Sequence, residues 1–286
     1  MTTVMKKHIL TSAILGVLAF GAVSCNSDEF KKPEYFQQEA TTKLGQQIVD
    51  GSSDYIAHVK TDVQTKVAQG VTRIDMGYLN QNGHAMQLFL YKVTLGPVSL
   101  IAATPTTTEK TDLLTSMCAE VENQGKYTVL GGITGGNALG KGDAFFAILK
   151  DDSAVCLPTS EYDAVSAKIT MGYSGTAHLL QNGYVLGQTD NTTSARAAVG
   201  VSEDGNEVYL LVVDGGDFFY SNGIGCNDLA LLMKGCGAYN AIALNTGNTV
   251  TAVWRNMRSE NLFDLLNKPA NKGVEAPVSG GILIVQ

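Results

Sequence analysis

The sequence predicts a single α+β domain in which helices pack on a mixed β-sheet. Helical and strand-like stretches interleave without a steady βαβ period, which favours this class over a doubly wound fold. The apolar run at residues 208–213 shows no alternation, which is typical of a strand covered on both faces. With 44% apolar residues in a chain of 286, a full core can be buried.

Residues 1–25 have the pattern of an export signal. Lys6 and Lys7 supply its positive start, residues 9–23 its apolar centre, and small residues precede Cys25. The segment resembles a bacterial lipoprotein signal, in which Cys25 becomes the lipidated first residue of the mature chain. A plain secretory signal, leaving Cys25 as an ordinary thiol, is the alternative. The lipoprotein reading predicts a protein anchored by lipid in the cell envelope, at the outer membrane, on the periplasmic or the surface side.

A polar stretch without periodicity, residues 26–43, predicts a flexible tether before a folded domain at residues 44–286. Without the signal, 18 basic and 27 acidic side chains leave a net charge of −9. Such a surface repels phosphate polymers, so nucleic acid is not an expected partner.

Neither metal nor cofactor binding is indicated. The histidines are scattered, and no cysteine pair has zinc-finger spacing. Export permits disulfides, and the pairing state of the four cysteines after Cys25 stays open. Only a Cys226–Cys236 bond is excluded, because a helix between them separates the thiols by about 15 Å.

The first half of the chain predicts β-structure. Residues 45–67 are ambiguous, with room for a short helix, and strands are expected at residues 71–79, 85–94 and 98–102. A helix is predicted at residues 112–123. Residues 131–136 are rich in glycine but lack the lysine and spacing of a phosphate-binding loop, so this segment alone is a weak signal.

The stretch from residue 191 to 250 carries the candidate active site. A hairpin is predicted there, with strands starting at Arg196 and ending at Asp214 around an Asp-Gly turn. A helix capped by Asn227 or Asp228 and stopped by Gly235 and Gly237 follows. After it come a strand at residues 240–244 and a turn at residues 245–249. Strand ends and glycine turns of this kind are where α/β proteins bind ligands. Near the C-terminus, a helix at residues 260–267 and a strand at residues 282–285 are expected.

Seven segments in order resemble the phosphodiester glycosidase family, whose members include an enzyme that removes N-acetylglucosamine from phosphodiester-linked mannose. The similarity runs from about residue 127 to residue 286. The segments are residues 132–136 (GITGG), 179–183 (LLQNG), 196–200 (RAAVG), 212–215 (VVDG), 225–241 (a helix and its GAxxA turn), 245–249 (NTGNT) and 267–278 (NKP to EAPV).

The resemblance implies that Thr134, Gly135 and Gly136, together with Asn245 and Gly247, bind substrate. The family pattern has Asn and Asp in the first of these loops and Asp in the second. This chain has Thr134, Gly136 and Asn245 there. Two expected carboxylates are therefore missing.

Arg196 and Asp214 are retained and are the predicted catalytic residues. Arginine would neutralise a phosphodiester leaving group, and an aspartate would perform acid-base or positioning work. Asp217 is a weaker candidate for a replacement carboxylate. The predicted function is removal of a sugar such as N-acetylglucosamine from a sugar-1-phosphodiester. The alternative is a catalytically degenerate lipoprotein that binds a glycan or phosphosugar, so whether the protein is an enzyme stays open.

Overall fold

Four helices and sixteen strands form the part of the chain that the computed structural model describes, residues 39–105 and 110–286. The predicted export signal, Cys25 and most of the predicted tether lie outside these residues. The helices are α1 (Lys43–Gly51), α2 (Leu114–Asn123), α3 (Tyr162–Val165) and α4 (Cys226–Cys236). Single 3-10 turns occupy Thr159–Glu161, Ser166–Lys168 and Gly247–Thr249.

The strands follow the chain from the first helix to the C-terminus. They are β1 (Ile56–Ala68), β2 (Val71–Asn80), β3 (Ala85–Thr94), β4 (Ser99–Ala103), β5 (Val129–Thr134), β6 (Ala144–Leu149), β7 (Ala154–Pro158), β8 (Ile169–Ser174), β9 (Ala177–Gln181), β10 (Tyr184–Val185), β11 (Arg196–Val201), β12 (Glu207–Val213), β13 (Asn240–Thr246), β14 (Ala252–Arg255), β15 (Phe263–Leu265) and β16 (Gly281–Val285).

Three sheets result from their pairing. An eight-stranded sheet has the order β1-β2-β3-β12-β11-β13-β9-β10, a five-stranded sheet the order β15-β14-β5-β16-β4, and a three-stranded sheet the order β7-β6-β8. The α+β class is confirmed.

The prediction of a mixed sheet is wrong, because every ladder between the described strands is antiparallel. The segment β12-α4-β13 looks like a parallel crossover unit in the sequence. In the fold, β11 lies between β12 and β13 and pairs antiparallel with both. The crossover therefore spans two strand positions and forms no parallel ladder.

The eight-stranded sheet is buried on both faces, as the unbroken apolar run of β12 predicts. Val208, Leu210 and Val212 pack with strands of the other sheets. Leu211 and Val213 point the other way and pack with residues of α1 and α4. This alternation along one strand follows from the period of two in β-structure.

Helix α4 begins earlier than predicted. Its N-cap is Gly225, which provides no side-chain cap. Instead, the side chain of Asn191, from the loop before β11, accepts a hydrogen bond from the backbone N–H of Asn227 (3.0 Å). A distant loop thus supplies the polar group that the sequence assigned to Asn227 or Asp228. Of the two glycines predicted to stop the helix, Gly235 lies within α4, and Gly237 ends it in the left-handed region at φ 106°.

Two other predictions are corrected. Residues 260–267 contain strand β15, which pairs with β14, and no helix. Residues 131–134 are not a loop but the end of β5. There, a Cβ on Gly132 would lie 2.4 Å from the carbonyl oxygen of Ile282 on the neighbouring strand. The glycine permits close approach of two strands, which explains its presence without a ligand.

The ambiguous stretch before residue 68 contains both α1 and the long strand β1. The last residues of the predicted tether are fixed to this part of the fold. The backbone N–H groups of Thr41 and Thr42 donate to the carboxylate of Asp62 (3.0 and 2.7 Å). Thr42 also caps α1 through the N–H of Gly45.

Candidate functional site

One end of the eight-stranded sheet brings the predicted catalytic segments side by side. Arg196, the first residue of β11, is paired with Val213 of β12 on one side and with Thr246 of β13 on the other. Asp214 directly follows Val213. We call this place the pole, defined as residues 195–196, 214–215 and 246–247.

Close backbone packing holds the pole together. The hydroxyl of Thr246 and the N–H of Gly247 both donate to the carbonyl oxygen of Ala195 (3.1 and 2.9 Å). On the opposite side, a Cβ on Gly215 would lie 2.4 Å from the backbone nitrogen of Ala195. Only glycine permits this contact, so Gly215 fixes the direction of the chain after Asp214.

Arg196 is buried, with a relative exposure of 4%. Its Nε donates to the carbonyl oxygen of Ile224 (3.0 Å) and its Nη2 to that of Thr192 (2.7 Å). The exposed carboxylate of Asp190 lies 3.7 Å from Nη2, too far for a good hydrogen bond. In this structure the guanidinium group therefore joins the loop before β11 to the segment before α4.

Asp214 is more deeply buried, at 1% exposure. Asn267 donates through Nδ2 to its Oδ1 (2.7 Å), and the backbone N–H of Lys268 donates to its Oδ2 (2.9 Å). The hydroxyl of Tyr220 also contacts the carboxyl group. Burial raises the pKa of Asp214 from 3.8 to about 6, although these donors oppose the change.

The two predicted catalytic side chains point to opposite faces of the sheet. Arg196 lies on the same face as Ala198, which packs with α4 residues. Asp214 continues the face of Val212 and contacts the residues after β15. The strands bring the two residues to one pole, but each side chain has its own set of partners.

A surface pocket of about 490 Å³ adjoins Asp214. It is lined by the loop that follows Asp214 and by the turn after β15 (residues 215–220, 268–270 and 272). Tyr220 is a lining residue and reaches the Asp214 carboxyl from the pocket side. Asp214 is therefore linked to the pocket although solvent barely reaches it.

Asp217, the weaker carboxylate candidate, lines this pocket. Its carboxylate is paired with the ammonium group of Lys268 (2.9 Å), which lowers the pKa of Asp217. Lys268 thus contacts both aspartates, through its backbone N–H and through its side chain.

Sequence reasoning missed Tyr220, Asn267 and Lys268 as site residues. The one sequence signal for Tyr220 is its place at the end of the aromatic segment Asp217 to Tyr220, which directly follows two glycines. In the sequence, Asn267 and Lys268 belong only to the C-terminal segment of the family resemblance. They are 53 and 54 residues from Asp214 in the sequence, so no local pattern marks the contact.

The sequence profile of the phosphodiester glycosidase family matches residues 101–285, more than half of the chain. This chain belongs to the phosphodiester glycosidase family. The matched region contains the pole and the pocket. It excludes β1, β2 and β3, which belong to the same eight-stranded sheet through the pairing of β3 with β12.

Solved structures of the same fold include an animal enzyme. The catalytic domain of zebrafish N-acetylglucosamine-1-phosphodiester alpha-N-acetylglucosaminidase, auto-inhibited by its pro-peptide, superimposes with a TM-score of 0.55 at 17% identity, covering 74% of this chain and 81% of that one. A hypothetical protein from Synechocystis gives a TM-score of 0.54 at 12% identity, covering 78% of this chain and 63% of that one. At these identities the similarity shows the fold alone. No curated protein sequence matches this chain.

The residues that the family resemblance assigns to substrate binding lie around the same end of the sheets. Thr134 is fully buried, and its backbone N–H donates to the carbonyl oxygen of Thr251 (2.9 Å). Gly136 is also buried, and a Cβ there would lie 3.1 Å from the side chain of Leu244. The two family loops are thus neighbours in space, since Asn245 directly follows Leu244.

Their accessibility differs. Thr134, Gly135 and Gly136 are buried, whereas Asn245 and Gly247 are half-buried. Gly247 has a positive φ of 70° and opens the 3-10 turn at Gly247–Thr249. Of the five residues, Asn245 and Gly247 are the ones that a ligand can reach in this structure.

Within residues 39–105 and 110–286, no group of three or more His, Cys, Asp or Glu side chains is arranged to hold a metal ion. The same residues contain no helix of sufficient length and hydropathy to cross a membrane. The four cysteines of this region are buried free thiols, and Cys226 and Cys236 stand at the two ends of α4.

Proposed function

We propose that this protein hydrolyses a sugar-1-phosphodiester, removing a sugar such as N-acetylglucosamine, at the pole and its adjoining pocket. The observation that carries the proposal is the environment of Asp214. A buried carboxyl group with a pKa of about 6 touches a tyrosine that lines an open pocket. Family membership and the fold support the class of linkage.

The two aspartates have the properties that glycoside cleavage requires. A carboxyl group with a pKa near the working pH can be protonated before the reaction and ionised after it. Asp214 has that property, whereas Asp217 has a lowered pKa and remains a carboxylate. Environments that separate the pKa values of two carboxyl groups are typical of an acid and its basic or nucleophilic partner.

Asp214 serves as the proton donor, and its proton reaches the pocket through the Tyr220 hydroxyl. Tyr220 gives its own proton to the leaving-group oxygen as it accepts the proton from Asp214, so its net charge does not change. The phosphodiester leaving group is a stable anion and needs little protonation, which reduces the demand on this step. Asp217 faces the pocket as the ionised partner.

Arg196 was predicted to bind the phosphate. Its guanidinium group is occupied by the carbonyl oxygens of Thr192 and Ile224, so we assign it a positioning role that shapes the loop around the pole. Direct binding of phosphate would require these two hydrogen bonds to be exchanged for phosphate oxygens.

A second candidate function is binding of a sugar phosphodiester or glycan without cleavage. Two observations favour it. Both Asp214 oxygens already accept hydrogen bonds, and the family's carboxylate positions hold Gly136 and Asn245, which cannot transfer protons. In this case the pocket would be retained and the chemistry lost.

Release of free N-acetylglucosamine from an N-acetylglucosamine-1-phosphodiester by the purified full-length protein tests the proposal. We expect release by the wild type, a fall in its rate above about pH 6 as the acid ionises, and loss of release in Asp214→Asn. Arg196→Ala is expected to reduce release through its loop. Tyr184→Ala alters an exposed aromatic residue of β10 and should leave release unchanged.

Wild-type protein that binds the diester but releases no sugar would establish the binding function instead. Restoring a carboxylate with Asn245→Asp then provides a further measurement. Release gained by that variant would show that the second family loop keeps its geometry and lacks only the acid.

We also propose that the protein is exported and anchored in the cell envelope by lipid on Cys25, on the basis of the sequence alone. The mature chain should then carry a mass increase of acyl groups at its N-terminus. Cys25→Ser should abolish both the mass increase and recovery with membranes. An unmodified N-terminus in the wild type would instead favour a plain secretory signal.

A further inference from the structure

The pocket beside Asp214 has an unusual rim. Phe219 is 90% exposed and Phe218 61% exposed, although both are large apolar side chains. Neither phenylalanine packs in the hydrophobic core. Core packing therefore does not explain why two adjacent apolar side chains stand on this loop. Exposed apolar surface beside a concave site is commonly a binding surface.

The two phenylalanine rings pack in a row on His84. The ring of His84 packs edge to face against Phe218, with centroids 5.7 Å apart, and Phe218 packs in the same way against Phe219 at 5.4 Å. His84 is itself fixed by Asn222, whose Nδ2 lies 3.2 Å from its Nδ1. This row of three rings presents the outermost ring to solvent in a defined orientation.

The opposite wall of the pocket is cationic. Lys268 is about half exposed, and its ammonium group is paired with Asp217 (2.9 Å) and lies 5.1 Å from the centre of the Tyr220 ring. The positive charge of the second lysine, Lys272, is the one in excess. Lys272 is exposed and adopts a left-handed backbone at φ 55°, which is uncommon for a residue with a side chain. The turn is closed by a hydrogen bond from Gly273 to Pro269 (2.8 Å), which holds Lys272 at the pocket.

These walls suit different parts of one ligand. An aromatic face is complementary to the C–H face of a pyranose ring. The negative face of the aromatic ring attracts the partly positive hydrogens of the sugar. Ammonium groups bind phosphate. The pocket volume of about 490 Å³ accommodates a ligand of sugar-phosphate size.

We propose that this pocket is a sugar-phosphate subsite, in which Phe219 stacks on the sugar ring and Lys272, with Lys268, binds the phosphate. The substrate class is taken from the proposed function, on which the inference rests. Phe219, Lys268 and Lys272 all lie on the two loops that line the pocket. None of them is among the residues that the family resemblance assigns to substrate binding.

Insertion of the phenylalanines into a lipid surface is the competing explanation. The structure favours the sugar phosphate for two reasons. The rings border a concavity and not a protruding tip. The pocket also contains the carboxylate of Asp217, which can accept hydrogen bonds from sugar hydroxyls, whereas acyl chains offer it no donor.

Calorimetric titration of the full-length protein with three ligands separates the two contacts. The ligands are N-acetylglucosamine-1-phosphate, free N-acetylglucosamine and inorganic phosphate. Phe219→Ala should weaken binding of the sugar phosphate about tenfold, and that of the free sugar similarly, without changing phosphate binding. Phe219→Tyr keeps the ring and should bind as the wild type does.

Lys272→Asn should show the opposite pattern, with about tenfold weaker binding of the sugar phosphate and of phosphate, and unchanged binding of the free sugar. Asparagine is chosen because it tolerates the left-handed backbone of this position. The matched controls are Tyr184→Ala, at 76% exposure, and Lys60→Met on β1, and neither should alter any titration.

Three results would overturn the inference. They are an absence of sugar-phosphate binding by the wild type, equal binding by Phe219→Ala, and a Phe219→Ala defect confined to sedimentation with phosphatidylglycerol vesicles. These results differ from failure of the proposed function. Binding with the expected variant pattern but no sugar release supports the subsite and rejects hydrolysis. Release unaffected by both variants supports hydrolysis and rejects the subsite.

Discussion

The buried carboxyl group of Asp214 should make the protein less stable as pH rises through the weakly acidic range. Its pKa is raised from 3.8 to about 6 by burial. Between these two values the unfolded chain releases the proton and the folded protein keeps it. The folded state therefore binds more protons, and the free energy of unfolding falls as pH increases.

The size of the effect follows from the two pKa values. A change from 3.8 to about 6 corresponds to about 3 kcal/mol, since each pKa unit is worth about 1.4 kcal/mol. This cost is nearly absent at about pH 3 and fully present at about pH 7.5. Asp214→Asn has no titrating proton at this position, so its stability should not carry this pH-dependent cost.

The assay is urea unfolding of the wild type and Asp214→Asn at a series of pH values. Trp254, the single tryptophan, is half-buried and stacks with Arg73 at 5.1 Å, so its fluorescence reports unfolding. In Asp214→Asn, the new amide group faces the donors of Asn267 or Lys268. This unfavourable contact lowers the free energy of unfolding by the same amount at every pH. The informative quantity is the change with pH in the difference between the two proteins.

We expect Asp214→Asn to gain about 3 kcal/mol relative to the wild type between about pH 3 and pH 7.5. Asp264→Asn is the matched control. Asp264 accepts hydrogen bonds from Asn256 and Ser259, which lower its pKa, so its contribution is present at neutral pH and lost on acidification. Asp264→Asn should therefore become less stable than the wild type as pH rises, the opposite of the trend expected for Asp214→Asn. Parallel curves for the wild type and Asp214→Asn would refute the account of the Asp214 site.

Two further substitutions test the construction of the pole. Arg196→Met should destabilise the protein by about 3 kcal/mol, because two buried carbonyl oxygens lose their donors. Arg258→Met, at an exposed arginine, serves as the control in the same urea titration, and equal losses would contradict the structural role of Arg196. Gly215→Ala should cost at least about 3 kcal/mol, because its Cβ would meet backbone that cannot move aside. Gly187→Ala, where a Cβ has no neighbour within 4 Å, should change stability by no more than about 1 kcal/mol. A stable, soluble Gly215→Ala protein would show that the close approach is not required.

Local patterns in the sequence were sufficient for much of the fold. The hairpin of β11 and β12 follows from two apolar runs around an Asp-Gly turn, and the end of α4 follows from Gly237. In each case the residues that decide the structure are neighbours in the sequence. The family resemblance likewise depends on short motifs in a fixed order, and it is confirmed by the family profile.

Other features depended on contacts between distant parts of the chain. The strand β15 was predicted as helix, because its pairing with β14 outweighs a local preference that is weak over so few residues. The glycine segment at the end of β5 was predicted as a loop, because only the neighbouring strand shows that glycine is needed for close packing.

The candidate site divides in the same way. The position of Arg196 and Asp214 at strand ends follows from the residue pattern, since strand limits are set by local patterning. The packing of distant segments, in contrast, places their side chains on opposite faces of the sheet. It also brings Asn267, Lys268 and Tyr220 around Asp214. The reason is that the burial, the hydrogen-bond partners and hence the pKa of a carboxyl group depend on which segments pack around it, and those segments are far apart in the chain.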